Sequence, residues 1–210
     1  MAKEMRCVLF GAAPVNDYAA IGRLLKETDI LVGVDGGLKH IEALNKIPDL
    51  LIGDFDSIGS PFPACEAISY PAVKDETDLF LAAREAVKRG FTSFLLLGAM
   101  GGRLDHTLAN LSLLNELTEQ GCSAVMADEQ NAVMVLIPGT YPLEQGGYTK
   151  CSILPFGEIC EGVTIKGVKY PLEHKTLKNT FPLGVSNEII EKGAFLRFTA
   201  GRIILIHTKD

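Results

Sequence analysis

From Arg6 to about residue 128 the chain alternates between two hydrophobic periodicities. Short, nearly continuous apolar runs occur in RCVLFG, DILVGVD, DLLIGD, AISYP, SFLLLG and SAVMA. Their length and aliphatic content predict strands buried on both faces. Between most of them lie segments with helical spacing: NDYAAIGRLLKET, GLKHIEALNK, TDLFLAAREAVKRG and DHTLANLSLLNELTEQG. The third is the clearest. Leu79, Ala82, Ala83, Ala86 and Val87 share one face, Arg84, Glu85, Lys88 and Arg89 lie opposite, and Gly90 suits the stop. Strand–helix alternation predicts βαβ crossovers and a mostly parallel sheet flanked by helices, a Rossmann-like α/β unit.

After about residue 130 the pattern changes. No amphipathic helix is evident, and turn signals such as IPGTY, EQGGY, PFGE and KGVKYP punctuate short strands. AFLRFTAGRIILIHT reads as a hairpin, two alternating runs joined near Ala200 and Gly201. The expectation is a catalytic α/β domain over 1–131 and a small antiparallel β-sandwich over 132–210.

In a parallel sheet the segment after each strand emerges at one rim, where open α/β sheets bind ligands. Polar clusters follow four of the apolar runs. They are Asp35-Gly36-Gly37, Asp54-Phe55-Asp56-Ser57, Lys74-Asp75-Glu76-Thr77-Asp78 and Gly101-Gly102-Arg103-Leu104-Asp105-His106. Carboxylates gathered at one rim repel each other, and a divalent cation removes that penalty. Magnesium takes oxygen ligands from one or two carboxylates, waters and phosphates, so Asp54, Asp56 and Asp78 are candidate ligands, with Asp75 close behind. An Asp-x-Asp after a strand also serves turn chemistry, and residues 75–78 fit a helix cap. The glycines at 101 and 102 admit an anion close to the backbone, and Arg103 can grip phosphate oxygens. Acids, glycines, Lys74 and Arg103 together point to metal-assisted transfer of a phosphorylated group.

Composition narrows the field. At 210 residues the chain is long enough for a proper core. A net charge of −6 argues against general nucleic-acid binding. The five cysteines form no CxxC pair and the four histidines lie far apart, which argues against a disulfide framework or structural zinc. No run approaches the ~18 apolar residues of a membrane span, and the N-terminus lacks a signal-peptide core. A reduced cytoplasmic location is the expectation.

The four polar clusters, in this order and followed by a β domain, resemble the thiamine pyrophosphokinase family. The motifs are Asp35-Gly36-Gly37, Gly53-Asp54-Phe55-Asp56-Ser57, Lys74-Asp75-x-Thr77-Asp78 and Gly102-Arg103-x-Asp105-His106. The resemblance implies transfer of the diphosphoryl group of ATP to thiamine, giving thiamine diphosphate and AMP, with Mg2+ required. It also implies a homodimer with active sites between subunits. By position it assigns Asp54, Asp56 and Asp78 to the cation. Asp35, Gly36, Gly37, Lys74, Thr77 and Arg103 would lie along the nucleotide, with Gly102 and His106 beside them, and Asp105 near the reacting groups. Asp75 or Asp105 would accept the hydroxyl proton. GVKYPL and SNE resemble thiamine-contacting segments, making Tyr170, Ser186 and Asn187 candidates, although some relatives carry tryptophan where Tyr170 stands. Three rivals differ in chemistry: a phosphohydrolase with an Asp-x-Asp nucleophile, a metal-dependent sugar transferase, and a non-catalytic nucleotide-binding module.

Overall fold

The computed structural model describes residues 5–54, 65–70, 76–143 and 147–209. Contacts divide the chain into two units, Met1–Glu129 and Gln130–Asp210. Among the described residues the first contains six strands: β1 (Cys7–Phe10), β2 (Ile30–Val34), β3 (Leu50–Gly53), β4 (Glu66–Ser69), β5 (Ser93–Leu97) and β6 (Ser123–Ala127). Their order is β6-β5-β1-β2-β3-β4, and every pairing among them is parallel. All residues of β1 and β3 are buried, as are all but the first of β2 and β5, which is why these strands read as unbroken apolar runs. β4 is largely exposed at the sheet edge, and Glu66 on it pairs with Arg89 at 2.6 Å.

The helices are α1 (Tyr18–Leu24), α2 (Leu38–Ala43), α3 (Asp78–Lys88) and α4 (Leu104–Glu119), with a 3-10 turn at Asp35–Gly37 leading into α2. Asp17 caps α1 by accepting from the Ala20 amide at 2.9 Å, and Thr77 caps α3 through the Phe80 amide. On α3 the buried side chains are Leu79, Ala82, Ala83 and Ala86, the stripe the spacing predicts. This helix lies against β1, β2 and β3.

The chain lays β1 to β4 outward on one side, then returns to place β5 on the other side of β1. The strand order therefore reverses between β1 and β5, and the carboxyl ends of those two strands frame a crevice.

The second unit has no helix among its described residues. One sheet contains β7 (Asn131–Leu136), β14 (Ile203–Thr208), β9 (Lys150–Pro155) and β12 (Gly184–Glu188), paired antiparallel. The other contains β8 (Gly139–Pro142), β13 (Phe195–Phe198), β10 (Ile159–Lys166) and β11 (Leu172–Lys178), also antiparallel. Ile153, Ile203 and Leu205 from the first sheet share one core with Val163, Leu196 and Phe198 from the second. That is a sandwich. The expected hairpin over 194–208 is corrected. β13 pairs with β8 and β10, whereas β14 pairs with β7 and β9, so the turn at Gly201 carries the chain from one sheet to the other. Both runs face the same core, and a hairpin leaves the same alternation in the sequence.

Candidate active site

Asp35, the first residue after β2, is in a left-handed conformation, φ 46°, which Asp tolerates better than most residues. Gly37 follows because a side chain there would strike the Phe10 carbonyl at the end of β1. The left-handed turn sends the Asp35 carboxylate over β3, where Oδ1 accepts from the Asp54 amide at 3.3 Å. Gly53 leaves the room, since its own Cβ would collide with that carboxylate oxygen. Asp35 also hydrogen-bonds Asp78 in the first turn of α3. Burial first, then the Asp78 hydrogen bond and charge, push the Asp35 carboxyl up to about 7. The Asp54 amide pulls weakly the other way.

Three acids from loops far apart in sequence thus converge at the carboxyl ends of β2 and β3 and the start of α3. Asp56, Lys74 and Asp75 lie outside the described residues. Among the described residues no three His, Cys, Asp or Glu side chains form a metal-holding group by themselves. The donor chemistry nonetheless fits a hard cation. These are oxygen ligands, and a cation would relieve the crowding with Asp78 that, with burial, pushes Asp35 up.

Beside the acids lies a cavity of about 420 Å³. Asp35, Thr77 and Asp78 form one side, and Gly102, Arg103 and His106 another. Gly36, Gly37, Asp54 and Asp105 do not line it. Arg103 is exposed and clasped by Asp105, with Nε–Oδ1 at 3.1 Å and a second contact at 2.5 Å. That contact holds the Asp105 carboxyl below its ordinary range. His106 is exposed, and its amide donates to Asp105 at 3.0 Å.

Two lining elements escaped the sequence reading. The Gly11–Pro14 loop after β1 forms a wall, and so does Asn110 on α4. Asn110 is buried and donates through Nδ2 to the Ala99 carbonyl at 2.8 Å. Gly11, placed directly after the first apolar run, was the available signal for the loop. Asn110 had none beyond a polar residue on an otherwise apolar helix face.

In the second unit Tyr170 and Asn187 come together. Asn187 is buried, and its amide clasps the Tyr170 backbone both ways, accepting from N–H at 2.9 Å and donating to C=O at 2.7 Å. Its Oδ1 also accepts from the Glu188 amide. Asn187 is therefore occupied in shaping the turn that presents Tyr170. The Tyr170 ring is 62% exposed, with the Lys169 ammonium 5.8 Å from its centroid. Ser186 is exposed at φ 59°, its amide donating to Ser152 Oγ at 3.0 Å.

A parallel α/β unit with carboxylates and a cavity at its strand ends, followed in the chain by an antiparallel β sandwich, defines a two-unit α/β-plus-β class of protein. Two family models match the chain: the thiamin pyrophosphokinase catalytic domain over 21–126 and the thiamin pyrophosphokinase vitamin B1 binding domain over 140–203. The chain belongs to the thiamin pyrophosphokinase family. It is 34% identical to the thiamine pyrophosphokinase of Bacillus subtilis, across 96% of this chain and 98% of that one. It is 24% identical to thiamin pyrophosphokinase 1 of Caenorhabditis elegans, across 97% and 89% of the two chains. The solved B. subtilis thiamine pyrophosphokinase structure superposes with a TM-score of 0.87 at 29% identity, covering 98% of this chain and 99% of that one.

Proposed function

We propose that this chain transfers the diphosphoryl group of ATP to the hydroxyl of thiamine, releasing AMP and thiamine diphosphate. The observation that carries the reading is a family match over both units, joined to an acid-lined cavity at the strand-order reversal. The parallel strand order supports describing the first unit as a Rossmann-like nucleotide- and metal-binding catalytic domain, over 1–131. The sandwich, 132–210, is proposed as the thiamine-binding domain.

Such a transfer needs charge neutralised and the attacking oxygen aligned with the β-phosphorus, opposite the AMP oxygen. Asp54, Asp56 and Asp78 would hold Mg2+, which when bound neutralises polyphosphate charge and fixes its oxygens. Asp35 and Thr77, on the cavity wall, would lie along the nucleotide with Gly36, Gly37, Gly102 and His106 near it. Lys74 and Arg103 balance the remaining phosphate charge. Arg103 does so by exchanging Asp105 for a phosphate, a small cost because the ion pair is exposed. That exchange relieves Asp105 of its cation and raises its basicity, so Asp105 accepts the hydroxyl proton only once nucleotide is seated; Asp75 is the alternative acceptor. Tyr170 would offer thiamine a ring face, with Ser186 and Asn187 as further contacts.

The family also implies a homodimer with active sites at the subunit interface. Leu104 and Leu108, 70% and 54% exposed at the start of α4 beside the cavity, are consistent with a covering partner. A cytoplasmic location accords with the absence, among the described residues, of a helix able to cross a membrane.

The test is incubation of the purified protein with ATP, Mg2+ and thiamine. AMP and thiamine diphosphate are expected in equal amounts. ADP as the nucleotide product, or release of free phosphate with no thiamine diphosphate formed, would remove the reading.

A further inference from the structure

Two carbonyls of the wall Gly11–Pro14 are held by side chains of α2. Lys39 Nζ donates to Ala12 O at 3.0 Å, and His40 Nε2 lies 2.8 Å from Ala13 O. The Ala13 amide donates in turn to Gly98 O, at the carboxyl end of β5, at 2.8 Å. His40 sits on α2, only 2% exposed, and is not itself a cavity residue. A carbonyl oxygen only accepts, so Nε2 carries the ring proton. Nδ1, 2.8 Å from the Tyr18 hydroxyl, is then the acceptor from it. Burial holds His40 below its ordinary pKa, which keeps this neutral tautomer. The same ring abuts Gly98: a Cβ there would lie 3.1 Å from His40 Cδ2. His40 thus reaches both loops, after β1 and after β5, that line the cavity.

We propose that His40, oriented by Tyr18, is a positioning residue that sets the spacing of the two cavity walls and so the affinity for nucleotide. This rests on the reading of the cavity as the ATP site. Neither His40 nor Tyr18 needs to touch ATP. The ring acts through the Ala13 carbonyl and the Gly98 backbone, both on lining residues. Losing the Nε2–H leaves a part-buried carbonyl without its donor and leaves the Ala13 segment held to Gly98 by its amide bond, without the anchor on α2.

Steady-state kinetics on the full-length protein separate this from a general loss of stability. Glutamine can place its amide nitrogen where Nε2 stands, whereas asparagine falls about one bond short. In His40→Ala and His40→Asn, KM for ATP should rise about tenfold, with kcat within about threefold and KM for thiamine unchanged. His40→Gln should stay within about twofold of the parent, and Tyr18→Phe should fall between. Thermal melts accompany each variant. Should His40→Ala fail to fold, the contrast of His40→Gln with His40→Asn, and Tyr18→Phe, carry the test. An unchanged KM for ATP in His40→Asn and Tyr18→Phe overturns the proposal. So does an equal KM change in His40→Gln and His40→Asn, or a change that simply tracks melting temperature. Parent protein that forms no thiamine diphosphate would instead sink the functional reading. Active parent with indifferent variants sinks only the role of His40.

Discussion

Asp35 and Gly53 form the smallest unit on which the site depends. The carboxylate reaches across to β3 only because residue 53 has no side chain, and only because residue 35 accepts a left-handed backbone. Gly53 is not at positive φ, so alanine fits its backbone, and the obstacle is the flexible end of one side chain. Gly53→Ala should therefore lower kcat/KM by roughly tenfold or more while shifting stability by less than about 1 kcal/mol. Parallel activity and urea-denaturation measurements check it; a large stability loss with normal activity per folded molecule would show that the glycine serves packing alone. Asp105 teaches a related lesson. Its position in the sequence identifies a candidate base, but its contact with Arg103 two residues earlier lowers its basicity until that arginine is drawn elsewhere. A motif supplies the residue, and the neighbouring charge decides its protonation.

The two ends of the parallel strands use acids differently. At the amino ends, Asp29 just before β2 ties to Arg6 just before β1 at 2.7 Å, and Asp49 before β3 accepts from the Leu31 amide at 2.7 Å. The Asp29 side chain is 0% exposed. Burial alone would raise it, but the Arg6 hydrogen bonds, the Lys26 amide and the nearby cations hold it below the ordinary carboxylate value. A depressed folded pKa contributes stability that is present above the unfolded value and lost as pH falls through the folded one. Stability of the first unit should then decline below about pH 4. Asp29→Asn should cost about 3 kcal/mol at pH 7, by stranding the Arg6 guanidinium, and should flatten that acid limb. Urea titrations at pH 7 and pH 3 read both effects; an unflattened limb would place the titration elsewhere. At the carboxyl ends, by contrast, Asp35 and Asp78 crowd together, and burial with the Asp78 carboxyl pushes Asp35 up to about 7.

Across the whole chain, legibility followed locality. β1, β2, β3 and β5 were plain because burial on both sides leaves continuous apolar runs, and α3 because its buried stripe repeats at helical spacing. The sheet change between β13 and β14 was not, because alternation reports which face is buried and not which strand lies alongside. The convergence of Asp35, Asp54 and Asp78 was readable from one rule, that strand ends share a rim. The wall at Gly11–Pro14 lay on the same rim but carried no charge to draw notice. His40 was invisible as a site residue because it acts through backbone carbonyls that any sequence supplies. Asn187 was singled out for a ligand and is spent on the Tyr170 backbone, a use that sequence does not distinguish.

Everything in the proposed chemistry depends on those strand-end carboxylates sharing one cation. The direct measurement is a crystal structure with Mn2+ and a non-hydrolysable ATP analogue, the metal located by its anomalous scattering. A peak bound between the analogue's phosphates and Asp54, Asp56 and Asp78, with the nucleotide in the cavity beside Arg103, is the predicted result. Metal seated away from all three, or aspartates facing different surfaces with the analogue bound, would contradict it.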